Sequence, residues 1–309
     1  MRIVFMGTPE FAVPSLTAML AHGEEVVAVV TQPDRPRGRG RKVTPSPVKT
    51  VAEKAGLEVL QPTRIKTEEF LDQLRAYRPD LIVVTAYGRI LPKALIELPT
   101  HGTINVHASL LPKYRGAAPI QWAVINCEKE TGVTIMQMDE GLDTGDILLP
   151  GRLSIDEDDT AGSLAEKLSG LGGRLLTEAL DLLKKGKLLA KKQDESQATF
   201  APLLDKEQGR IQWEMPAARI SCLIRGLDPW PSAYTFLGEE RFRFFRPQVL
   251  GQTVNAKPGT LVGIRKDGLQ ISTGDGLLTV AEVQREGSRR MPVSAFLQGH
   301  PLAEGELFG

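Results

Sequence analysis

Short apolar runs alternate with amphipathic stretches along the first half of the chain. Five of these runs have the length of buried β-strands, and they lie at 2–6, 26–30, 81–84, 103–107 and 133–138. Helical periodicity is found between them, at 15–21, 48–55 and 68–76. The alternation predicts an α/β, Rossmann-like domain with a mostly parallel sheet covered by helices. Ligands of such sheets bind at the loops that follow the strands.

The pattern changes after residue 160. Leu164, Leu168, Leu171 and Leu175 recur at helical spacing and predict one long amphipathic helix over 160–183. A polar stretch follows, and it has the composition of an interdomain linker. Short β-rich segments then predict a small β-barrel of the oligonucleotide-binding type, with a hairpin at Asp267-Gly268. The expected divisions are a catalytic domain at 1–188, a linker at 189–207 and a barrel domain at 208–309.

Composition and charge narrow the class of protein. The chain has 41% hydrophobic and 25% charged residues, which is typical of a globular protein, and its 38 basic residues equal its 38 acidic ones. Any binding of nucleic acid must therefore come from local charge. No apolar run is long enough for a membrane span. Cys127 and Cys222 are expected to be two buried thiols in a reducing cytoplasm, and the chain is expected to be a cytoplasmic monomer.

The end of the fourth predicted strand carries an amide and an imidazole. Asn105 and His107 are two residues apart, so their side chains emerge on the same face of the strand. This pair suits stabilisation of an oxyanion with nearby proton transfer, although it could equally satisfy backbone groups at a strand end. The acidic loop at 139–146 could be a solvated turn or could supply a carboxylate that orients His107. With only one histidine at the end of this strand, and with asparagine a weak ligand, no metal is expected.

A strongly basic loop follows the second predicted strand. Residues 34–42 hold five basic residues and one acidic residue, a local charge of +4. The loop could be a mobile solvated segment, or it could bind the phosphates of a polyanion. In the predicted barrel, Arg241 and Arg243 would share one strand face while Phe242 and Phe244 face the core. The first strand is not followed by Gly-x-Gly-x-x-Gly, and the chain has no Gly-Lys-Ser/Thr, which disfavours a nicotinamide or ATP enzyme.

Several longer motifs resemble those of the folate-dependent formyltransferase family. They are Gly7-Thr-Pro-Glu-Phe-Ala12, Thr31-Gln-Pro-Asp-Arg-Pro36, Asn105-Val-His107, Ser109-Leu-Leu-Pro112, Arg115-Gly116, Pro119-Ile-Gln-Trp122 and Gly141-Leu-Asp-Thr-Gly-Asp146. The Ser-Leu-Leu-Pro and Gly-Leu-Asp-Thr-Gly-Asp motifs are together highly specific, and the resemblance covers essentially the whole chain. The arginine-rich loop and the barrel are similar to those of the members that act on tRNA.

The resemblance implies a set of site residues and partners. The formyl donor would be 10-formyltetrahydrofolate, with no metal, and the acceptor would be methionyl initiator tRNA. The catalytic residues implied are Asn105, His107 and Asp143. The folate-binding residues implied are Ser109, Leu110, Leu111, Pro112, Tyr87 and Gly88. The tRNA-binding residues expected are Arg35, Arg37, Arg39, Arg41, Lys42, Lys206, Arg241 and Arg243.

Three other functions stay open at this stage. A formyltransferase for an amino-sugar nucleotide or small amine would keep the fold, but it would not need a five-base loop. A formyltetrahydrofolate hydrolase would keep the folate site and use water as the acceptor. A purely RNA-binding protein would use only the loop and the barrel, and the Asn105, His107 and Asp143 pattern argues against it.

Overall fold

The computed structural model of the chain describes residues 1–37, 42–252 and 254–309. Contacts divide the chain into two compact units. The first comprises Met1–Gly116, Glu130–Ser154 and Ala165–Ala201, and the second comprises Ala117–Lys129, Ile155–Leu164 and Pro202–Gly309. Within the described residues, no helix combines the length and apolar character needed to cross a lipid bilayer.

The first unit is built on a seven-stranded mixed sheet. Its strands are β1 (Arg2–Gly7), β2 (Glu25–Val30), β5 (Val59–Leu60), β6 (Leu81–Thr85), β7 (Thr103–His107), β8 (Glu130–Gln137) and β9 (Ile147–Ser154). They are hydrogen-bonded in the order β5-β2-β1-β6-β7-β8-β9. The first five run parallel, whereas β8 and β9 are antiparallel to their neighbours. The mostly parallel sheet predicted from the sequence is confirmed.

The central strands are buried on both faces of this sheet. Successive side chains of a strand point to opposite faces, and Ile3, Val4, Phe5 and Met6 of β1 are all fully buried. This is the pattern of a sheet covered on both sides. The antiparallel pair β3 (Arg35–Arg37) and β4 (Lys42–Thr44) lies outside the sheet, in the segment predicted as a basic loop.

Local sequence signals explain where the helices begin. The chain forms α1 (Val13–Ala21), α2 (Pro47–Lys54), α3 (Glu68–Ala76), α4 (Lys93–Ile96), α5 (Pro119–Ile125) and α6 (Ala161–Lys184). At the start of α2, the Ser46 hydroxyl accepts a hydrogen bond from the Lys49 amide, and proline occupies the first helical position. At the start of α3, the Thr67 hydroxyl accepts a hydrogen bond from the Phe70 amide. Two glutamates in the first turn interact favourably with the positive end of the helix dipole.

The second unit is rich in antiparallel strands, as predicted. It contains α5, α7 (Ala217–Gly226), β10 (Tyr234–Leu237), β11 (Glu240–Leu250), β12 (Leu261–Arg265), β13 (Gly268–Ser272), β14 (Leu277–Arg285), β15 (Met291–Pro292) and α8 (Val293–Gly299). The strand order is β10-β11-β14-β13-β12, and β15 pairs with β14. The predicted hairpin joins β12 to β13, with Arg265 opposite Gly268. Phe242 and Phe244 are buried in the core, which confirms the predicted alternation.

The last four residues connect the two edges of this antiparallel sheet. On one side, the backbone of Gly309 exchanges two hydrogen bonds with Phe236 of β10. On the other side, the Leu261 amide of β12 donates to Glu306, and the Phe308 amide donates to Gly259. The Phe308 ring is buried against Phe244, at a centroid separation of 5.3 Å. The C-terminal segment therefore acts as the strand that closes the barrel.

The expectation for the two cysteines is wrong. Cys127, directly after α5, and Cys222, on α7, form a disulfide within the second unit. The two residues are 95 positions apart in the chain, and only the packing of α5 against α7 brings them together. Nothing in their sequence spacing indicates this contact.

Candidate active site

Asn105 and His107 lie on the same face of β7, as the strand period predicts. In the register of the sheet, Asn105 lies beside Val84 of β6, and His107 lies beside Thr134 of β8. Asn105 is half-buried, whereas the side chain of His107 is only 6% exposed. An imidazole this deeply buried needs hydrogen-bonding partners for both ring nitrogens.

Both nitrogens of His107 face an acceptor. Nε2 donates to the carbonyl oxygen of Tyr114 at 3.0 Å, and Nδ1 lies 3.6 Å from Oδ2 of Asp143. Asp143 also receives a hydrogen bond from the Gly116 amide at 2.9 Å and a longer one, 3.5 Å, from Nδ2 of Asn105. The structure therefore brings Asn105, His107 and Asp143 into one cluster.

The loop that carries Asp143 is tightly folded. Asp143 itself has a positive φ of 53°. A Cβ on Gly145 would lie 1.8 Å from the Gln137 carbonyl oxygen, so only glycine fits there. Asp139 accepts hydrogen bonds from the Gly141 amide and from the Thr144 hydroxyl. The acids of this loop therefore differ in their contacts: Asp139 stabilises the turn, and Asp143 faces the β7 side chains.

The predicted folate segment, Ser109 to Pro112, forms the turn that follows β7. The Ser109 hydroxyl donates to Lys113 O at 2.6 Å, and Thr134 of β8 bonds to both Ser109 O and the Leu111 amide. Leu111 is buried, while Leu110 and Pro112 are half-buried. The polar groups of Ser109 are thus engaged within the protein, and the turn fixes the path from His107 to Gly116.

Tyr87 and Gly88 lie in the loop after β6. The Tyr87 side chain is buried in the core, and this burial raises the pKa of its hydroxyl. Its carbonyl oxygen accepts from the Thr8 hydroxyl and from Nε2 of Gln32, which joins the loops after β1, β2 and β6. Gly88 has a φ of 82°, and a Cβ there would lie 2.6 Å from Nε2 of Gln32. The Tyr87 ring points into the core, so its side chain does not face the loops that follow the strands.

Two large apolar side chains are exposed on these loops. Ile90 is 79% exposed after Gly88, and Leu142 is 56% exposed beside Asp143. A flat heterocycle is bound in proteins by apolar cover together with a few main-chain hydrogen-bonding groups. The side chains and glycine conformations of the two loops fit a pterin in this respect.

Three residues whose role the sequence does not indicate contact the cluster or its loop. Arg115 is 2% exposed and forms a two-pronged ion pair with Glu195, at 2.7 and 2.8 Å. Gln193 donates to the carbonyl oxygens of Asp143 and Gly145, at 2.8 and 2.7 Å. Both Gln193 and Glu195 fall in the polar stretch predicted as a linker. No periodicity marks such contacts, because the partners are 48 to 80 residues apart.

Comparison with known proteins is decisive for the family. The formyl transferase family model matches residues 1–180, and the model of the formyl transferase C-terminal domain matches residues 203–301. The chain is 58% identical to the methionyl-tRNA formyltransferase of Desulfotalea psychrophila, over 97% of this chain and 93% of that protein. The chain belongs to the formyltransferase family. A second relative, the methionyl-tRNA formyltransferase of Caldanaerobacter subterraneus, is 53% identical over 99% of both chains.

A solved formyltransferase structure shares the fold. It is the N-formyltransferase of Helicobacter canadensis, solved with folinic acid and dTDP-3-aminofucose. The similarity has a TM-score of 0.68 at 18% identity, and it covers 94% of this chain and 99% of the other. Formyltransferases related to this chain in fold thus bind folate derivatives.

The basic segment at residues 34–42 is held in place by hydrogen bonds to its first residue, Asp34. Lys49 of α2 donates to Asp34 at 2.7 Å and to Gln61 at 2.8 Å, and Gln61 in turn donates to Asp34 at 2.7 Å. These contacts lower the pKa of Asp34, the hydrogen bond from Lys49 being the main cause, and raise that of Lys49. Arg35 is exposed on β3, and β3 pairs with β4 through Arg37 opposite Lys42. Arg39 and Arg41 lie outside the described residues.

The remaining predicted tRNA contacts lie in the second unit. Lys206 is exposed immediately before a short turn at Glu207–Gly209. Arg241 is half-buried, pairs with Glu286 at 2.7 Å and stacks over Tyr234. Arg243 points to Gln284 at 3.5 Å. The charge of Arg241 is partly balanced by its neighbour, whereas Lys206 is presented to solvent.

A resident metal was not expected from the sequence. Among residues 1–37, 42–252 and 254–309, no three or more histidine, cysteine or acidic side chains cluster in a way that could hold an ion.

Proposed function

We propose that the chain transfers a formyl group from 10-formyltetrahydrofolate to the α-amino group of methionyl initiator tRNA, giving formylmethionyl-tRNA for translation initiation. The observation that carries this proposal is the 58% identity to a methionyl-tRNA formyltransferase over nearly the full length of both chains. The cluster of Asn105, His107 and Asp143 supports it, because acyl transfer to an amine needs an oxyanion donor and a proton acceptor.

Each residue of the cluster has a distinct proposed role. The Asn105 amide donates to the formyl oxygen as it gains negative charge. His107 donates through Nε2 to Tyr114 O, so a proton on Nδ1 as well would make an imidazolium that faces the Asp143 carboxylate and stabilises the same oxygen. Asp143 keeps this charge in place and accepts the proton of the attacking amine. As the tetrahedral intermediate collapses, the bond between the formyl carbon and the donor's nitrogen breaks, and that nitrogen takes up a proton. An α-amino group has a pKa of about 8, so little driving force is needed for its deprotonation.

The formyl donor supplies the activated one-carbon group. We propose that Ser109, Leu110, Leu111, Pro112, Tyr87 and Gly88 form its binding surface, Tyr87 and Gly88 through main-chain atoms. The exposed side chains of Ile90 and Leu142 support this surface, since a bound pterin would cover them. We propose that the chain needs no metal for the reaction.

The acceptor is proposed to bind through basic residues of both units. These are Arg35, Arg37, Arg39, Arg41 and Lys42 in the first, and Lys206, Arg241 and Arg243 in the second. A chain with no net charge can bind a polyanion only through such local clusters. We keep the division into a catalytic domain at 1–188, a linker at 189–207 and a tRNA-binding barrel at 208–309 as a proposal, together with a cytoplasmic monomer.

The test is formyl transfer by the purified chain. The acceptors are methionyl initiator tRNA, an elongator methionyl-tRNA and a UDP-amino-sugar, with 10-formyltetrahydrofolate as donor. We expect rapid formylation of the initiator tRNA alone. Formylation of the sugar, or release of formate with both tRNAs untouched, would overturn the proposed acceptor.

A further inference from the structure

Residues 191–201, here named the strap, run along the active-site segments of the first unit. At the start of the strap, Lys191 and Ile147 of β9 exchange two backbone hydrogen bonds, at 2.8 and 2.9 Å. At its end, the Arg115 amide donates to Thr199 O at 2.9 Å, and the Ala201 amide donates to Arg115 O at 2.7 Å. The strap thus connects the loop that carries Asp143 with the turn that follows His107.

The centre of the strap is Gln193, whose carboxamide uses both of its ends. Its Nε2 donates to Asp143 O and Gly145 O, and its Oε1 accepts from Nε and Nη2 of Arg115, at 3.1 and 2.8 Å. A carboxamide can donate and accept in this way at once, whereas a carboxylate only accepts. Glutamine is therefore the residue type that these four contacts require.

The orientation of the Gln193 amide is fixed by Arg115. A guanidinium only donates, so the oxygen of Gln193 must face Arg115 and its nitrogen must face the Asp143 loop. Glu195 holds the other edge of the guanidinium with both carboxylate oxygens. This pairing raises the pKa of Arg115 and lowers that of Glu195, so both groups stay charged at neutral pH.

The Asp143 loop needs such support. A non-glycine residue with positive φ is strained and persists where its surroundings hold it. Asp143 is in this conformation, with its carboxylate 3.6 Å from Nδ1 of His107. The two hydrogen bonds from Gln193 are made to the main chain of Asp143 itself and of Gly145, two residues further on.

We propose that Gln193 is a positioning residue that holds the Asp143 carboxylate against His107, with the buried Arg115 and Glu195 fixing its amide. The proposal rests on the proposed function for its kinetic consequence, but its structural part concerns the Asp143 loop alone. Gln193 contacts no reacting atom, so it acts through Asp143.

The test compares Gln193→Ala and Gln193→Glu with Gln197→Ala. Gln197 lies on the same strap, and its amide bonds to Asp194 instead of the Asp143 loop, which makes it a matched control. We expect both Gln193 variants to lower kcat by about 10- to 100-fold with little change in KM for tRNA, since a misplacement of about 1 Å is sufficient for such a loss. The Gln197 variant should retain wild-type kcat. A kcat of the Gln193 variants equal to that of the control would overturn the proposal.

Two further measurements separate positioning from general stability. In the Asp143→Asn background, measured in single turnovers, Gln193→Ala should cause no further loss, because its target is already removed. Amide hydrogen exchange of residues 139–146 should be faster in both Gln193 variants than in Gln197→Ala. A full further loss in the double variant, or unchanged exchange in this loop, would overturn the proposal. The exchange measurement needs no substrate, so an inactive wild-type chain would refute the proposed function without deciding the role of Gln193.

Discussion

At the scale of single residues, the site depends on how the Asp143 carboxylate is shared. Its Oδ2 accepts from the Gly116 amide and also faces Nδ1 of His107, and its Oδ1 faces Asn105. These three contacts fix the orientation of the Asp143 carboxylate, which in turn holds the His107 ring in one orientation. The Asn105 amide is directed at the same carboxylate. The hydrogen bond from Asn105 to Asp143 is long, at 3.5 Å, so the Asn105 amide is available to a substrate oxygen.

We predict that Asn105→Ala lowers kcat by about 10²- to 10³-fold, the typical loss for one oxyanion donor. The KM for tRNA should change little, because Asn105 belongs to the chemical step. The control is Glu140→Gln, which alters an exposed acid of the neighbouring loop that pairs with Lys93. Steady-state kinetics with methionyl initiator tRNA measure both values. A loss confined to KM would contradict the role given to Asn105.

Residues that the strand period places on one face were predictable from the sequence, whereas residues that are buried by distant polar partners were not. Asn105 and His107 were predictable from their two-residue spacing, and Asp143 followed from the family resemblance. Gln193 and Glu195 were not predictable, because a polar strap has the same composition as a solvated linker. Buried Arg115 is hydrogen-bonded by Gln193 and paired in charge with Glu195, both about 80 residues later in the chain.

At the scale of secondary-structure elements, two strands of the first sheet, β9 and β5, were not predictable from the sequence. Strand β9 contains Pro150 and Gly151, two residue types that disfavour the prediction of a strand from the sequence. It forms because it is the edge strand of the sheet, with β8 on its inner side and a bridge from the strap to Ile147 on its outer side. The two-residue strand β5 is too short to show a period. The central parallel strands were predicted because burial on both faces leaves a continuous apolar run.

We predict that the link between the strap and Arg115 weakens in acid. The pKa of Glu195 is lowered by its hydrogen bonds with Arg115. At pH values above its ordinary pKa of 4.5, this carboxylate therefore stabilises the folded state. The contribution is lost as pH falls through the lower, folded-state pKa. The melting temperature of the wild type should therefore exceed that of Glu195→Gln at pH 7, and the difference should shrink as pH falls below 4.5 and disappear once pH is below the folded-state pKa. A difference that grows on acidification would contradict this assignment.

We predict that Gln61→Ala raises the KM for tRNA by about 3- to 10-fold, the equivalent of one to two lost hydrogen bonds. Gln61 anchors Asp34 at the base of the β3–β4 pair, and a less ordered base must be ordered upon binding. The substitution changes no charge, so the effect cannot come from lost attraction to phosphates. The control is Gln73→Ala on the exposed face of α3. Equal KM values for the two variants would refute the prediction.

At the scale of the whole molecule, long-range contacts complete the second unit. The disulfide joins residues 95 positions apart, and the terminal segment closes the barrel between β10 and β12. Neither contact can be read from a local pattern, since both depend on the final packing. The class of each unit was nevertheless predictable, because alternating strands and helices differ clearly from a run of short strands.

We predict that the disulfide contributes about 2–4 kcal/mol to the free energy of unfolding, because it constrains a long loop of the unfolded chain. Reduction of the wild type should lower the melting temperature of the second unit by roughly 5–15 °C. Cys222→Ser should melt at the reduced value and should not respond to a reductant. Calorimetry with and without dithiothreitol measures this shift. Two titratable thiols per chain in the denatured, unreduced protein would contradict it.

The position of the barrel-closing segment has a consequence for how the protein is made. Because Glu306, Phe308 and Gly309 hydrogen-bond to both edges of the sheet, the barrel is incomplete until those residues have left the ribosomal exit tunnel. The strap and every strand of the first sheet emerge more than a hundred residues earlier. Synthesis therefore separates the two folding events in time: the catalytic cluster can assemble on the nascent chain. The barrel can close only after residues 306–309 have emerged as well.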